Sequence, residues 1–494
     1  MRSAKFDCGC KSDREELDIL LSELLFRAGL TTYASLVYDA EISGITLDSR
    51  VIKPGDLFIG MSGMSYDGSA FLGQAIQSGA AAAVVARPHS DNQGIPLVCV
   101  PDLDRSVVAD LVLAFYGDLS QRIGIIGITG TNGKTTTAHL IAHVLNVSKR
   151  KCGIIGTLNG ERTTPESPEL FRRITDEIES GSLYVAVEVS SIALEQRRTK
   201  NVEFLVSVFT NLSQDHLDFH HNMAAYFASK ARLFGREVSK VGVVNRDSDY
   251  GRELLKGAEI EMVGFGSADL YNVEKQPYRT QFTLMGVHFE IPLIGDHNLY
   301  NALSAIATLR VLGLSLLEVA SALTSFSGVT GRLQRIISEN ECTVYVDYAH
   351  SPDALLQAIS AVRNTMYDDQ SLIVVFGAGG NRDRTKRSQM GYLAASRAQM
   401  LIITNDNPRL EDPVAIADSI IDGIREASSN VKYEVIYDRR RAIFAAIEAA
   451  GNRDVVLIAG KGHETYQTIG DATIYFSDIE VAKEALESFA DGIS

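Results

Sequence analysis

Residues 127–136 read Gly-Ile-Thr-Gly-Thr-Asn-Gly-Lys-Thr-Thr and follow directly on the apolar run 123–128. A buried strand that enters a glycine-rich turn and leaves it as a helix opening on Lys134, Thr135 and Thr136 can cradle phosphates. Glycines let successive backbone N–H groups converge on one anion, and the helix N-terminus adds its dipole. Lys134 supplies a cation and the Thr135 hydroxyl can ligate Mg2+. The spacing departs from the usual P-loop, whose first glycine would stand at Ile128; Gly127 and Gly130 lie on either side of that position.

Two more polar residues end apolar runs nearby. Glu188 closes one and His216 sits in the polar loop after another. Both are candidate metal ligands, although Mg2+ prefers oxygen and His216 would be an unusual choice. Each could equally be a hydrogen-bonding anchor at a strand end.

The elements that must carry these residues alternate apolar strands with helices. In a first unit, residues 42–48, 56–59, 81–86 and 96–100 are expected as strands, with helices over 71–79 and 107–116. In a second, strands over 123–129, 183–189, 204–210 and 241–245 alternate with helices. In a third, strands over 343–347, 372–376, 400–404, 433–436 and 455–459 repeat the rhythm. The pattern implies an α/β fold of three domains: 1–115, 116–330 and 331–494. The central one is a P-loop-type parallel sheet with helices on both faces, and the C-terminal one is Rossmann-like. Ligands of such sheets sit beyond the carboxyl ends of the strands, where the polar clusters fall.

Composition narrows the classes. The chain has 494 residues, 45% hydrophobic and 22% charged, with a net charge of −15. That balance argues against a nucleic-acid binder. No run reads as a transmembrane span or a secretory leader, so a cytoplasmic protein with no membrane partner is expected. The five cysteines are scattered, and only Cys8 and Cys10 stand close together, so free thiols in a reducing compartment are expected.

Several stretches occur together in order. They are the phosphate loop, Glu188-Val-Ser-Ser191, Asn211-Leu-Ser-Gln-Asp-His-Leu-Asp-Phe-His220 and Tyr226-Phe-Ala-Ser-Lys-Ala-Arg-Leu-Phe234. In the C-terminal third come Asp347-Tyr-Ala-His-Ser-Pro-Asp353, Gly379-Gly-Asn-Arg-Asp383, Asp406-Asn-Pro-Arg409 and Gly460-Lys-Gly-His-Glu464. Together with Asp48-Ser-Arg50 and residues 53–58, this series resembles the Mur ligases over about residues 42–480.

The resemblance implies a peptidoglycan-synthesising, ATP-dependent ligase. ATP would phosphorylate the side-chain carboxyl of D-glutamate in UDP-N-acetylmuramoyl-L-alanyl-D-glutamate, and the amine of an incoming amino acid would displace the phosphate. It implies an ATP site at Gly130, Thr131, Asn132, Gly133, Lys134, Thr135, Thr136, Asn301, Arg332 and Asp347. It implies two Mg2+ ions, with Thr135, Glu188, His216 and a carbamylated Lys230 as ligands. From the residues alone, Lys230 reads as a lysine on an exposed helix face. Lys134, Glu188, His216 and Lys230 would form the catalytic group. The muramoyl dipeptide would lie against Ser49, Thr163, Thr164, Ser191, Gln196 and Arg198.

The third substrate is implied by Asp406-Asn-Pro-Arg409, the form associated with meso-diaminopimelate. Arg382, Asp406, Asn407, Arg409, Gly460 and Glu464 would surround it. The extra carboxylate of diaminopimelate suits a guanidinium fork and its extra ammonium suits a carboxylate. L-lysine or another diamino acid remains an alternative acceptor, as does a non-catalytic relative of the same fold. A monomer is expected. Ile192, Gln334 and Ser388 depart from the family pattern, and the segment 156–163 is shorter than usual.

Overall fold

The computed structural model describes residues 18–33, 38–63, 67–87, 94–336, 342–427 and 430–490. Cys8 and Cys10 lie outside them. Three parallel sheets follow one another along the chain. The first has four strands in chain order: Gly44–Thr46, Asp56–Gly60, Ala82–Val85 and Leu97–Cys99. The expected strand over 42–48 is split. Glu41–Ile42 pairs antiparallel with Ile19–Leu20, and only Gly44–Thr46 joins the parallel sheet. Its end is fixed by a side-chain turn, in which the Asp48 N–H donates to Thr46 Oγ1 at 3.0 Å and the Arg50 N–H to Asp48 Oδ1 at 2.9 Å.

The helix Arg105–Tyr116 starts on an Asp104 side chain that accepts two backbone N–H groups, and it leads into the central sheet. That sheet has six strands in the order Glu261–Phe265, Ser239–Asn245, Phe204–Phe209, Gly124–Thr129, Tyr184–Glu188 and Cys152–Ile155, all parallel. Gly124–Thr129 is buried at every residue. A Cβ on Gly124 would stand 2.6 Å from the Tyr184 ring, and one on Gly127 would stand 2.7 Å from the Phe204 ring. The two glycines therefore let the neighbouring strands' aromatics lie flat on the central strand. The edge strands Cys152–Ile155 and Glu261–Phe265 were not expected. Both are short and carry a glycine, so their apolar runs are weak.

One face of this sheet carries Lys134–Val147 and Asp296–Val311. Beyond them lies an antiparallel sheet of Leu270–Gln276, Arg279–Leu284 and Val287–Ile291, which the strand–helix rhythm did not anticipate. The other face packs on Ser167–Glu179 and Arg105–Tyr116, and its core runs without a break into the first sheet.

The third sheet has the order Gln334–Ile336, Thr343–Asp347, Val455–Ala459, Leu372–Phe376, Met400–Ile403 and Lys432–Val435. Only Gln334–Ile336 runs antiparallel. The last parallel strand in sequence thus inserts at the centre of the sheet. Its loop at Gly460–Glu464 lands between loops that begin at Asp347, Gly377 and Thr404. A hairpin, Tyr466–Ile469 with Ala472–Tyr475, follows and docks on Arg409. No helix among the described residues is long and apolar enough to cross a membrane.

Beneath the third sheet, Arg439 and Asp478 are both fully buried and form two hydrogen bonds of 2.7 Å. Removing one partner strands a buried charge. Asp478→Ala should cost about 3–5 kcal/mol, read as a lowered guanidinium midpoint for the transition that includes this sheet.

Candidate active site

The phosphate loop leaves Gly124–Thr129 through Gly130 (φ 154°) and enters the helix through Gly133 (φ 87°). Neither position tolerates a side chain. A Cβ would lie 1.9 Å from Thr210 Oγ1 at Gly130 and 2.1 Å from Asn301 Oδ1 at Gly133. The helix Lys134–Val147 has no side-chain cap, so its first N–H groups face the loop's concavity. The loop is laced to the next strand end. The Asn132 N–H donates to Asn211 Oδ1 at 3.0 Å, while Asn211 Nδ2 and Thr210 Oγ1 donate to the Asn132 carbonyl at 3.1 and 2.7 Å.

Two lysines converge on one carbonyl. Lys134 Nζ donates to the carbonyls of Gly130 (2.8 Å) and Thr131 (2.9 Å), and Lys230 Nζ donates to the same Gly130 carbonyl at 2.9 Å. Burial holds Lys134 below the ordinary lysine range. Burial, then the Lys134 ammonium, push Lys230 well below it. Lys230 is 1% exposed on the inner face of Met223–Ala231, over the Tyr226 ring. The reading of an exposed lysine is therefore wrong. The 3.6-residue period places Tyr226, Ser229 and Lys230 on the buried face, and a single lysine among apolar neighbours gave no sign of it.

Glu188, also 1% exposed, accepts from Thr135 Oγ1 at 2.9 Å and from the Thr157 N–H and hydroxyl at 3.0 Å each. Thr136 is buried in the same helix turn. Arg332, from the start of the third unit, reaches Thr135 Oγ1 at 3.3 Å and stacks on Tyr348. Asp347 accepts from the Leu333 and Ala349 N–H groups at 2.6 and 2.8 Å, and burial pushes its carboxyl up. Asn301 donates to Asn298 Oδ1. Of the ten residues expected at the ATP site, seven form the loop and its helix start, Asn301 and Arg332 reach it, and Asp347 lies one step away beside Leu333 and Arg332.

His216 adopts φ 53° and stands 3.6 Å from Asp215, with burial lowering its pKa. No group of three or more His, Cys, Asp or Glu side chains converges among the described residues. The Thr135–Glu188 oxygen pair, facing a cradle for phosphate oxygens, fits a hard divalent ion such as Mg2+. A Lys230 ammonium has no acceptor to offer a metal, and a free amine nitrogen is a poor match for a hard ion that prefers oxygen.

Around the next loop, Thr164 Oγ1 donates to the Glu188 carbonyl at 2.8 Å and accepts from the Ser190 N–H at 3.0 Å. Thr163 Oγ1 meets Thr157 Oγ1 at 3.1 Å. Ser191 contacts His220 Nε2 at 2.9 Å. Arg198 donates to the Thr164 carbonyl and to Gln196 Oε1. Glu166 gathers Arg105 and Arg162 at 2.9 Å and Arg198 at 3.2 Å. Ser49 donates to Gln74 in the first unit. Its neighbours Asp48 and Arg50 feel Arg162 and Glu161, so the two loops face each other.

At the third sheet, Asp406 and Asn407 are buried, and Arg409 (φ 54°) donates Nη1 to the Gly380 carbonyl at 2.8 Å. Gly460 (φ 122°) lies against Asp406, and Glu464 Oε2 accepts from Asn407 Nδ2 at 3.1 Å. Arg382 is exposed at the rim. Residues not singled out in the sequence also belong here. Asp353 accepts from Asn132 and Ser213 across the junction at 3.1 and 2.9 Å. Tyr226 touches Thr131 Oγ1 at 3.1 Å. Asp353 and Tyr226 both lay inside the motifs quoted above, which was the available signal.

Family models match three successive stretches: the "Mur ligase family, catalytic domain" at 41–115, the "Mur ligase middle domain" at 128–309 and the "Mur ligase, glutamate ligase domain" at 331–462. The fold and site thus define a Mur-type ligase. A Gloeobacter violaceus protein named UDP-N-acetylmuramoyl-L-alanyl-D-glutamate--2,6-diaminopimelate ligase is 41% identical over 94% of this chain and 98% of its own length. A Synechocystis protein of the same name is 40% identical over 90% of this chain and 92% of its own. A solved ligase of that name aligns with TM-score 0.61 and 30% identity over 91% of this chain and 95% of its own. A Thermotoga maritima MurF ligase in complex with ADP shares the fold, with TM-score 0.65 and 19% identity over 91% of this chain and 98% of its own. The chain belongs to the Mur ligase family.

Glu411 braces the loop that carries Asn381 and the helix that carries Arg387. It accepts from Arg387 at 2.9 and 2.8 Å and from the Asn381 N–H at 2.9 Å. The Arg387 hydrogen bonds, then the Asn381 N–H, lower its pKa to about 2. A depressed carboxylate contributes stability above its unfolded pKa, and this is lost as pH falls through its folded one. The stability gap between wild type and Glu411→Gln should therefore be full above about pH 4.5 and close towards pH 2, as measured by denaturant titrations across that window.

Proposed function

We propose that this chain joins meso-diaminopimelate to UDP-N-acetylmuramoyl-L-alanyl-D-glutamate at the expense of ATP. The observation that carries the reading is the placement of Arg409 beside the buried Asp406 and Asn407 and the half-buried Glu464, within a chain about 40% identical to relatives of that name. Residues 116–330 bind ATP through Gly130–Thr136, Asn301, Arg332 and Asp347. Residues 1–115 hold the uridine end at Ser49. The dipeptide lies along Thr163, Thr164, Ser191, Gln196 and Arg198. Residues 331–494 take the amino acid, with Arg382 and Arg409 for carboxylates and Asp406 and Glu464 for the distal ammonium.

The chemistry follows from charge. A carboxylate resists an amine until one oxygen becomes a leaving group, so ATP's terminal phosphoryl is passed to it. The incoming amine then adds to the acyl carbon, and phosphate departs. The bare helix N-terminus and Lys134 offset charge on the phosphoryl oxygens. Mg2+ held by Thr135 and Glu188, with a second ion at Glu188, His216 and a carbamylated Lys230, would add electrostatic stabilisation of the transferring phosphoryl. Burial disfavours the charged form of Lys230; its free amine is a nucleophile for CO2, and the product offers oxygens where an ammonium offers none.

The direct test is ATP-dependent phosphate release with the UDP-dipeptide plus meso-diaminopimelate, L-lysine or no amino acid. Release with diaminopimelate alone is expected; release with lysine instead overturns the acceptor. Arg409→Ala should lower kcat/KM for diaminopimelate by roughly two orders of magnitude and affect any residual lysine reaction much less. Incubation with 13C-bicarbonate should give a carbamate carbonyl resonance that is lost in Lys230→Arg. Its absence in the wild type would remove Lys230 from the metal ligands.

A further inference from the structure

Lys461 has no part in the roles assigned so far. It is fully buried directly beyond Val455–Ala459. Its Nζ donates to Glu464 Oε2 at 3.0 Å and to Asn407 Oδ1 at 3.2 Å, and lies 4.0 Å from Asp406 Oδ1. Asn407 Oδ1 also accepts from the Thr468 N–H at 2.9 Å, while Asn407 Nδ2 donates to the same Glu464 Oε2 at 3.1 Å. A flipped amide would set an NH2 against two donors, so Lys461 and Thr468 fix its orientation. Two donors hold Glu464 Oε2 in place. Among the described residues, Oε1 accepts from the Tyr466 hydroxyl alone, at 3.5 Å.

Arg439 is committed to Asp478 in a doubly hydrogen-bonded pair. Lys461 is the ammonium that lies against both Asp406 and Glu464. Fixed carboxylates and the Arg409 guanidinium thus stand in one pocket. Such a place suits a zwitterionic amino-acid head and gives little to a lone ammonium chain.

Resting on the substrate reading above, we propose that Lys461 is a positioning residue: by holding Glu464 and Asn407 in one arrangement it sets the preference for a diamino acid carrying a second zwitterionic head over lysine. It touches no reacting atom and works through Glu464.

A double-mutant cycle on the full-length enzyme tests this, using meso-diaminopimelate and L-lysine as acceptors. Wild-type turnover comes first; no preference for diaminopimelate there overturns the substrate reading and this inference with it. Given the preference, Lys461→Met should raise the KM for diaminopimelate about tenfold or more, with kcat and the KM for ATP little changed and the preference over lysine reduced. In a Glu464→Gln background the same substitution should add less than about twofold. A preference retained in Lys461→Met, additive effects across the cycle, or an equal rise in the KM for ATP overturns the role of Lys461 while leaving the substrate reading intact. If Lys461→Met does not fold, Lys461→Gln, which keeps a donor without the charge, carries the same cycle with the same criteria.

Discussion

The convergence of two buried lysines on the Gly130 carbonyl is the constraint on which the site depends. Lys134 and Lys230 share that carbonyl, Arg332 lies a few ångströms on at Thr135, and an uncapped helix points the same way. Cations out of water are costly unless anions or dipoles meet them. Burial and the Lys134 ammonium disfavour a charged Lys230, so Lys134 and Arg332 are the cations here, with Glu188 and Asp215 near them. The donors stand at the carboxyl edge of the central sheet. Because the donors are fixed in advance, little reorganisation is needed when phosphate arrives.

A second set of carboxylates does a different job, holding loops rather than ligands. Asp347 ties the start of the third unit to its first parallel strand end through two backbone N–H groups. Asp353 reaches across to Asn132 and Ser213. Glu166 collects three arginines from two units. Sheet topology brings strand ends together only to within a loop's length, and these carboxylates fix the rest of the geometry. The two junctions differ in kind. The first and central units share one apolar core, whereas Ile294 alone among the buried residues of the third unit's main core comes from before Arg332. The second junction is carried by polar contacts such as those of Asp353 with Asn132 and Ser213, and the first by apolar packing.

Much of this was legible in the sequence because chemistry and fold coincide in short motifs. The strands 343–347, 372–376 and 455–459 are long apolar runs, and they fall where the period indicates. The phosphate loop stands out because glycine is demanded twice by positive φ and by close approach. The antiparallel sheet at 270–291 is obscured by its mostly exposed first strand, whose seven residues include no buried one. The burial of Lys230 and Lys461 was hidden for another reason. A lysine's environment is set by what packs over it from distant segments, and local pattern scores the residue as polar wherever it stands. Glu166 and Glu411 escaped likewise, since a carboxylate that positions arginines is indistinguishable in sequence from one facing solvent.

The insertion of Val455–Ala459 at the centre of the third sheet joins the two ends of the site. Had that strand been added at the edge, in simple chain order, Gly460–Glu464 would lie strands away from Asp347 and from Gly377. Placed centrally, the loop borders the nucleotide side, where Gly331 permits approach only by lacking a Cβ that would sit 2.1 Å from the His463 nitrogen. On its other side it meets Asp406 and Asn407 through Gly460 and Lys461. One five-residue loop thus touches the segment that carries Arg332 and the loop that carries Asp406 and Asn407. Lys386, which feels both Asp215 and Asp406, lies between the central and third sheets' loops. The distance between the Gly130–Thr136 loop and the Asp406–Arg409 loop is therefore set by the strand order of the sheet, and side chains in the loop adjust only what the topology has already fixed.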